Sequence, residues 1–321
     1  MATYIGTHGG KIQDYTTDPD NPIVGQVWYN TTSTALKFRA EGAGAWSTGN
    51  SLNIARSSMA SQNVGLQTAS LCSGGYAATA DQITNVESYN GTNWTEVNDL
   101  NNARNSASGC GTQTAAIVAG GAPPPISSKT ETWNGSNWTE VNDLAAANKN
   151  AAMAGGVPAA VNFGGGPPVK DVTESWNGTN WTEVADLNTG RQTPGGLGTS
   201  TAAICVGGTV SPKQQTEIWN GTNWTEVNDL NTGREKPCGT GITTAGLCFG
   251  GDVPPQTGKT EEWNGTNWTE VADLNTAREN LGGGGTTSAG LAWAGAAPGL
   301  SAATEEWNSP SGEVTRTVDT D

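Results

Sequence analysis

Short apolar segments alternate with polar turns along most of the chain. In one stretch the apolar run TAAICVGG is followed by the runs TEIWN and NWTEV, which are joined across Asn220-Gly221-Thr222. Asn-Gly between apolar runs is the strongest short-range signal of a β-hairpin, because both residues tolerate a positive φ. The Gly/Thr-rich stretch GREKPCGTGITT supplies one more inner strand. The pattern therefore predicts units of four short β-strands.

The same pattern returns at a nearly constant interval. The segment TESWNGTNWTEVADLNTGR at 173–191 recurs, little changed, at 216–234 and 260–278. Successive copies have their first aromatic residue 43 or 44 positions apart, at Tyr89, Trp133, Trp176, Trp219, Trp263 and Trp307. A second marker has the same period, at Gly74-Gly75, Gly120-Gly121, Gly164-Gly165, Gly207-Gly208 and Gly250-Gly251, with Ala294-Gly295 as a weaker sixth. Such a period indicates propeller blades or solenoid coils, and a helical solenoid is excluded because no unit has ten residues with helical periodicity.

The two ends of the repeat region complement each other. The last copy has its first aromatic at Trp307 but no second Trp after it. Trp46 lies ten residues before Arg56, the spacing that separates Trp181 from Arg191, so we expect Trp46 to complete the last copy. The second tryptophans are then Trp46, Trp94, Trp138, Trp181, Trp224 and Trp268. The sequence predicts an all-β chain with a six-bladed β-propeller at 46–308 closed by its N-terminal strand, a hairpin segment at 1–45 and a C-terminal tail at 309–321.

The order of residue types within a copy resembles a known repeat family. An arginine, an apolar strand, Gly-Gly, an aromatic, Trp, Leu and a further arginine follow one another, as in the kelch repeat. The similarity covers roughly residues 46 to 308, and a kelch unit often has Tyr where five copies here have Trp. The resemblance implies a kelch-type propeller, with the Gly-Gly pairs and the second tryptophans as its structural residues.

The N-terminal segment has a different pattern. GQVWYN and ALKF, separated by a polar turn, predict a hairpin. The series GQVWYN, LKF and GAW resembles short segments of tail and fibre proteins of tailed phages, especially phages of marine cyanobacteria, as do the near-identical WNGTNWTEV repeats. The resemblance implies that the hairpin docks the chain in a virion. The alternative is that the hairpin adds strands to the sixth blade.

Composition narrows the choice of partners. Fifteen Lys and Arg against 30 Asp and Glu give a net charge of −15, which argues against binding to nucleic acid or to an anionic membrane. The chain has no apolar run near 18 residues and no basic and apolar leader, so we expect synthesis in a cytoplasm. The cysteines show no metal or redox spacing and are expected to be structural thiols, at Cys72, Cys110, Cys205, Cys238 and Cys248.

The residue types needed for catalysis are scarce or too regular. His8, outside the repeat region, is the only histidine, which excludes a copper oxidase site and a Ser-His-Asp triad. The stretch from Ser175 to Trp181 loosely imitates a sialidase turn but lacks its Asp and is one residue short. Acids recur in copy after copy, whereas an active site is one place, so we expect structural roles in turns and rim solvation for Glu131, Glu174, Glu217, Glu261, Glu305, Asp99, Asp143, Asp186, Asp229 and Asp273. Arginines of the same periodicity are expected to pin loops, at Arg56, Arg104, Arg191, Arg234 and Arg278, and Asn148 shows that one copy can do without the charge.

The loops after the Gly-Gly pairs differ most between copies. They read APPPISSK, GPPVKD, TVSPKQQ and DVPPQTGK. We expect them to gather at one end of the ring and to form a binding rim with Lys129, Lys170, Lys213, Lys259 and Asp252, where proline lowers the entropy lost on binding. The alternative is that these loops have simply drifted in sequence.

These observations favour a non-enzymatic component of a phage tail or fibre. The chain would be made in the host cytoplasm, sit in several copies in the virion, and contact other virion proteins and a host surface polysaccharide, with no cofactor and no metal site. Two alternatives stay open. A polysaccharide-degrading tail enzyme would need an asymmetric acid pair, for which Asp81, Asp171 and Asp252 are the first candidates; a bacterial kelch scaffold would leave the phage-like N-terminus unexplained. The sequence also leaves calcium binding by acidic turns open.

Overall fold

A computed structural model describes residues 12–19, 25–41, 44–60, 63–122, 125–309 and 313–317. The described residues form strands, turns and loops, with no helix among them. The chain divides into two units, Met1–Gly44 with Ser309–Asp321, and Ala45–Asn308. The boundary predicted between residues 45 and 46 lies one residue from this division. The predicted all-β fold class is thus confirmed for the described residues.

The strands are short, as the apolar runs predict. They are β1 (Gln13–Tyr15), β2 (Val27–Asn30), β3 (Ala35–Glu41), β4 (Ala45–Gly49), β5 (Arg56–Ser57), β6 (Asn63–Leu66), β7 (Ala69–Ser73), β8 (Tyr76–Ala77), β9 (Val86–Tyr89), β10 (Trp94–Val97), β11 (Ser108–Thr112), β12 (Ala115–Ala119), β13 (Thr130–Trp133), β14 (Trp138–Val141), β15 (Ala152–Gly156), β16 (Ala159–Phe163), β17 (Thr173–Trp176), β18 (Trp181–Glu183), β19 (Gly195–Thr199), β20 (Ala202–Val206), β21 (Thr216–Trp219), β22 (Trp224–Glu226), β23 (Cys238–Ile242), β24 (Ala245–Phe249), β25 (Thr260–Trp263), β26 (Trp268–Val271), β27 (Gly282–Gly285), β28 (Ala289–Trp293), β29 (Ala296–Ala297), β30 (Gly299–Leu300), β31 (Thr304–Asn308) and β32 (Glu313–Thr317).

The smaller unit is one four-stranded sheet of order β1-β2-β3-β32. The predicted hairpin is present as the antiparallel pair β2 and β3, and β1 runs parallel to β2. Its strands pair with one another and with β32, so the alternative in which the hairpin extends the last repeat sheet is wrong for the described residues. The C-terminal tail is not a separate element either, because β32 pairs antiparallel with β3.

The larger unit has a β-propeller-like fold built from the repeat. Its main strands form one eight-stranded sheet and several four-stranded sheets, and the eight-stranded sheet consists of two four-stranded halves joined by parallel pairing of β6 with β11. With the halves counted separately, we number the repeat sheets 1 (β6, β7, β9, β10), 2 (β11–β14), 3 (β15–β18), 4 (β19–β22), 5 (β23–β26) and 6 (β27, β28, β31, β4). The first strand of each repeat sheet lies against the first strand of the next, and β27 lies against β6.

The prediction for Trp46 is confirmed at the level of strand pairing. β4 pairs antiparallel with β31, and Trp46 lies opposite Trp307 in the register. Their ring centroids are 5.6 Å apart. The pair has the same position as Trp176 and Trp181 in repeat sheet 3, so residues from the two ends of this unit form one repeat sheet.

The hairpin after each first aromatic has a different geometry from the predicted one. Trp219 lies opposite Trp224, which leaves a four-residue connection. Only Gly221 has a positive φ, of 91°, and Asn220 does not. The Asn220 side chain instead accepts hydrogen bonds from the backbone N–H groups of Thr222 and Asn223, both at 2.9 Å. Asn is thus required for its side-chain oxygen, which closes an Asx turn, rather than for its backbone freedom.

The core lies between adjacent repeat sheets. The second Trp of a sheet packs against the preceding sheet, as Trp224 does against Phe163, with ring centroids 4.8 Å apart. Its indole N–H donates to the Thr at the start of the third strand of that preceding sheet, as Trp224 does to Thr173 at 3.0 Å. The same bond joins Trp46 to Thr260, Trp94 to Thr304, Trp181 to Thr130 and Trp268 to Thr216. Each of these five Trp therefore supplies both apolar area and a directed bond between sheets.

Candidate functional site

The loops between the second and third strands of repeat sheets 2 to 5 form the candidate site. Each begins at a Gly-Gly pair, and in Gly120-Gly121 both residues have a positive φ. A Cβ atom at Gly120 would lie 2.3 Å from the carbonyl oxygen of Asn148, so the backbones approach too closely for a side chain. The Gly121 N–H donates to the same oxygen at 2.7 Å. Gly207-Gly208 repeats the arrangement against Arg234, which fixes where each loop starts.

The four predicted lysines all lie in these loops: Lys129 and Lys259 directly precede the third strand of their sheet, and Lys170 and Lys213 lie three residues before it. Each ammonium group has an acceptor nearby. The contacts are Lys129 with Glu140 Oε2 at 2.7 Å, Lys170 with the carbonyl oxygen of Ala147 at 2.7 Å, Lys213 with Glu235, and Lys259 with Glu270 Oε2 at 3.0 Å. The rim therefore presents ion pairs and hydrogen-bonded ammonium groups.

Asp252 lies in the loop of repeat sheet 5 and contacts a lysine that sequence reasoning missed. Its Oδ2 is 3.7 Å from Nζ of Lys236, and the same ammonium group donates to Oε2 of Glu279 at 3.1 Å. Lys236 lies in the segment that enters repeat sheet 5, and Glu279 lies in the segment that enters repeat sheet 6. The ion pair between Lys236 and Glu279 therefore links repeat sheets 5 and 6.

A cavity of about 600 Å³ borders the loop of repeat sheet 2. Asn102 and Arg104 line it from the segment that enters the sheet, and Ile126, Lys129 and Asp143 line it from the other side. Glu140 pairs with the Lys129 ammonium group, and the hydrogen bond from Lys129 lowers the pKa of Glu140. The positive charge of Lys129 is therefore balanced by the Glu140 carboxylate. Amides, hydroxyls and a short apolar wall suit a neutral, hydroxyl-rich ligand better than a polyanion.

The repeated glutamates correct one expectation from the sequence. They do not solvate the rim, because they are buried. Each accepts from the guanidinium group of an arginine except Glu174, in whose copy Asn148 replaces the arginine. The pairs are Arg56 with Glu87, Arg104 with Glu131, Arg191 with Glu217, Arg234 with Glu261 and Arg278 with Glu305. Each arginine also donates to two loop carbonyls, as Arg104 does to those of Gly120 and Lys129 at 3.1 and 2.8 Å. The arginines thus pin loops, as predicted, through ion pairs that sequence reasoning missed.

A sequence signal for these pairs does exist. Glu131 stands two residues before Trp133, and residues two apart in a strand share one face. Because Trp133 is buried, Glu131 must be buried with it, and a buried carboxylate needs a cation or several donors. The repeated aspartates do have the expected role in turns, as Asp143 shows by accepting the N–H of Thr130 at 3.2 Å.

The asymmetric aspartates are distributed over different loops. Asp81 and Asp171 are exposed in the loops of repeat sheets 1 and 3, and Asp252 is half-buried in that of repeat sheet 5. Within the described ranges, no hydrogen bond joins any two of these three carboxylates, and no group of three or more His, Cys, Asp and Glu side chains could hold a metal ion. His8 lies outside the described residues.

The five cysteines are buried. Cys72, Cys205 and Cys248 occupy the predicted position two residues before Gly-Gly. Burial raises the pKa of the Cys205 and Cys248 thiols to about 12. A thiol in such surroundings stays protonated and inert, in agreement with a structural role.

No helix of the described residues is long and apolar enough to cross a membrane. Neither known protein families nor curated proteins yield a match to this chain. The functional argument therefore depends on the chain's own residues.

Proposed function

We propose that this chain is a non-enzymatic structural and binding component of a tailed-phage virion, in a tail, a fibre or a related appendage. Its loop rim contacts a host surface glycan or neighbouring virion proteins. The observation that carries the proposal is the common position of the variable loops: each connects the second and third strands of its repeat sheet, so all project from equivalent edges. Variation confined to one edge of a regular scaffold is typical of a binding surface.

In this proposal the larger unit is a six-bladed kelch-type propeller closed by β4. Support comes from the pairing of Trp46 with Trp307, the contact of β27 with β6, and the kelch-like order of residue types in each copy. A ring closed in this way leaves no free edge among its inner strands. Such a ring is a rigid support for the loop rim. Several copies of it can be present in one assembly.

The smaller unit is the docking part of the chain in this proposal. Its support is the phage-like GQVWYN hairpin and the separate four-stranded sheet that β32 completes. Because strands from both ends of the chain form this sheet, it can bind other virion proteins without interrupting the repeat. The virion is the expected location, after synthesis in the host cytoplasm.

The chemistry of the rim favours a neutral polysaccharide over an acidic one. Lys129, Lys213 and Lys259 are already paired with glutamates, and the whole chain is acidic. An anionic glycan would have to break those pairs and approach a net negative surface. Hydroxyl groups can instead share the amide and serine donors and acceptors around the cavity of repeat sheet 2.

Binding of labelled full-length protein to intact candidate host cells and to their extracted surface polysaccharide tests the proposal, with polymer length followed in the same samples. We expect binding with unchanged polymer length. Shortening would mean that the chain is a polysaccharide-degrading enzyme. Proteomic detection of the chain in purified phage particles tests the virion assignment separately, and its absence from particles would favour a bacterial scaffold.

Two variants test whether binding depends on the loop rim: one changes the loops, and the other changes the opposite end of a repeat sheet. Replacing Lys129, Lys170, Lys213 and Lys259 together by Gln should reduce binding at least tenfold, because it removes the ion pairs and the hydrogen bond that hold the four loops in place. Ile242→Ser changes an exposed residue at the hairpin end of β23, away from the loops, and should leave binding unchanged. Equal binding by both variants would remove the rim from the proposal.

A further inference from the structure

Five repeat sheets neutralise a buried glutamate in the same way. In repeat sheet 4, Glu217 accepts from the Arg191 guanidinium, from the Asn188 backbone and side chain at 2.8 Å each, and from the Thr189 N–H at 3.3 Å. Four donors, one of them a cation, thus surround a carboxylate that is almost fully buried. The same set of partners recurs around Glu87, Glu131, Glu261 and Glu305.

Repeat sheet 3 lacks two of these four donors. Ala145 replaces the asparagine and Asn148 replaces the arginine. The Asn148 side chain is too short to reach the glutamate and has other partners: it donates to the Gly164 carbonyl at 2.8 Å and accepts from the Gly166 N–H at 3.1 Å. Glu174 keeps the Ala145 N–H at 2.8 Å, yet only 4% of it is exposed.

In the part of the chain that the structure describes, no basic side chain takes the place of the missing arginine beside Glu174. On β16 the residue opposite Glu174 is Asn162, which is uncharged, and on β18 it is a second carboxylate, Glu183. Among the described residues, Lys170 is the one basic group that favours ionisation, but its ammonium donates to the Ala147 carbonyl. Burial raises the pKa of Glu174 above its ordinary value of 4.5, Glu183 adds to the rise, and the Ala145 and Ala146 N–H groups and Lys170 oppose it.

We propose that repeat sheet 3 is a proton-responsive element in which Glu174 binds a proton where its five counterparts bind an arginine. A neutral carboxyl group can be buried with few partners, whereas an uncompensated carboxylate cannot. Because the folded chain holds this proton more tightly than the unfolded chain, the stabilising effect is full below pH 4.5 and is lost as the pH rises through the folded-state pKa. Ionisation therefore loosens β17 and the loop at 164–172 that precedes it.

This proposal does not depend on a viral or a glycan-binding role. It concerns the loop that carries Lys170, so a rim that binds a ligand would lose order in this one loop as the pH rises through the folded-state pKa of Glu174. The other loops, whose glutamates keep their arginines, would not change.

Carbon-detected NMR of the full-length protein, labelled at glutamate side chains, tests the proposal directly. The Glu174 carboxyl signal, assigned by its loss in Glu174→Gln, should titrate above pH 4.5. Titration of Glu174 at or below pH 4.5 would overturn the proposal.

Three variants give a second, independent measurement. Glu174→Gln imitates the protonated form, and its unfolding midpoint should depend less on pH above 4.5 than that of the unaltered chain. Ala145→Asn with Asn148→Arg restores the missing donors and should lower the pKa of Glu174 relative to the unaltered chain. Glu217→Gln is the matched control and should destabilise the chain over the whole range, because it leaves Arg191 unpaired. An unfolding midpoint with the same pH dependence in Glu174→Gln as in the unaltered chain would contradict the proposal.

Discussion

The indole Nε1 of Trp46 donates a 3.0 Å hydrogen bond to Oγ1 of Thr260, across the boundary between repeat sheets 6 and 5. Trp46 also packs its ring edge-on against Phe249, with centroids 5.0 Å apart. Its backbone carbonyl accepts from the Asn275 side chain at 3.1 Å. Trp46, which precedes repeat sheet 1 in the chain, thus makes the contacts that the second Trp makes in other repeat sheets.

We expect Trp46→Ala to destabilise the larger unit by about 3–5 kcal/mol, because it leaves a large cavity between two sheets. Trp224→Ala is the matched control, since Trp224 makes the same contacts in the middle of the repeat. Denaturant unfolding of both variants measures the effect. Equal losses would mean that the N-terminal strand is as well integrated as an internal one, and a loss near zero for Trp46→Ala would contradict its pairing with β31.

Trp138, the second Trp of repeat sheet 2, lacks the Thr acceptor that the second Trp of every other repeat sheet has. Its Nε1 is buried and has no hydrogen-bond acceptor. The position that is Thr in the other preceding sheets is Val86 here, and Val86 and Trp138 lie in the same apolar cluster. Val86→Thr should therefore stabilise the chain by about 1 kcal/mol, because it supplies an acceptor to a buried N–H.

Thr173→Val is the reverse change in repeat sheet 3 and provides the control. It removes the acceptor of Trp224 and should cost about 1–3 kcal/mol. Thermal and denaturant unfolding of the two variants should shift in opposite directions. A destabilised Val86→Thr variant would mean that its hydroxyl does not reach Trp138.

Much of the fold follows from the sequence pattern. The alternation of short apolar runs, the Asn-Gly turns and the two Trp of each copy predict the four-stranded sheets, and the incomplete last copy predicts the role of Trp46. β32 could not be predicted to pair with β3, because its residues have no repeat partner and a single polar strand matches many edges. The kelch assignment and the blade count stay predictions.

The candidate site was less accessible to sequence reasoning. Charged residues are usually exposed, so the periodic acids were expected at the surface. Arg191 and Glu217 meet only because a whole hairpin folds back between them, which a linear pattern does not reveal. For the same reason the sequence identified the loop lysines but not the glutamates that pair with three of them.

Removing one member of a buried Arg–Glu pair should cost more than removing both. Arg191→Met leaves the Glu217 carboxylate buried without its cation, and we expect a loss of about 3–5 kcal/mol. Adding Glu217→Gln to Arg191→Met removes that uncompensated charge and should recover part of the loss. A double-mutant cycle from denaturant unfolding gives the coupling free energy. Additive losses would contradict a coupled ion pair.

Acid should weaken the smaller unit through Asp18. The Asp18 carboxylate accepts from Lys37 Nζ at 2.8 Å, from Asn30 Nδ2 at 2.7 Å and from Trp28 Nε1 at 3.1 Å. The hydrogen bond from Lys37, followed by those from Asn30 and Trp28, lowers the pKa of Asp18 from 3.8 to about 2. The folded unit binds this proton less tightly than the unfolded chain. Its stabilising effect is therefore full above pH 3.8 and is lost as the pH falls through 2.

The Trp28 indole resonance in ¹H–¹⁵N spectra of the full-length protein reports this titration. We expect it to move with a midpoint near pH 2, and we expect Asp18→Asn, which imitates the neutral side chain, to abolish the movement. A midpoint near 3.8 would mean that the three hydrogen bonds do not hold the carboxylate in solution. Because Asp18 bonds to residues of both β2 and β3, its loss should weaken the hold of the hairpin on the segment before it while leaving the repeat sheets folded.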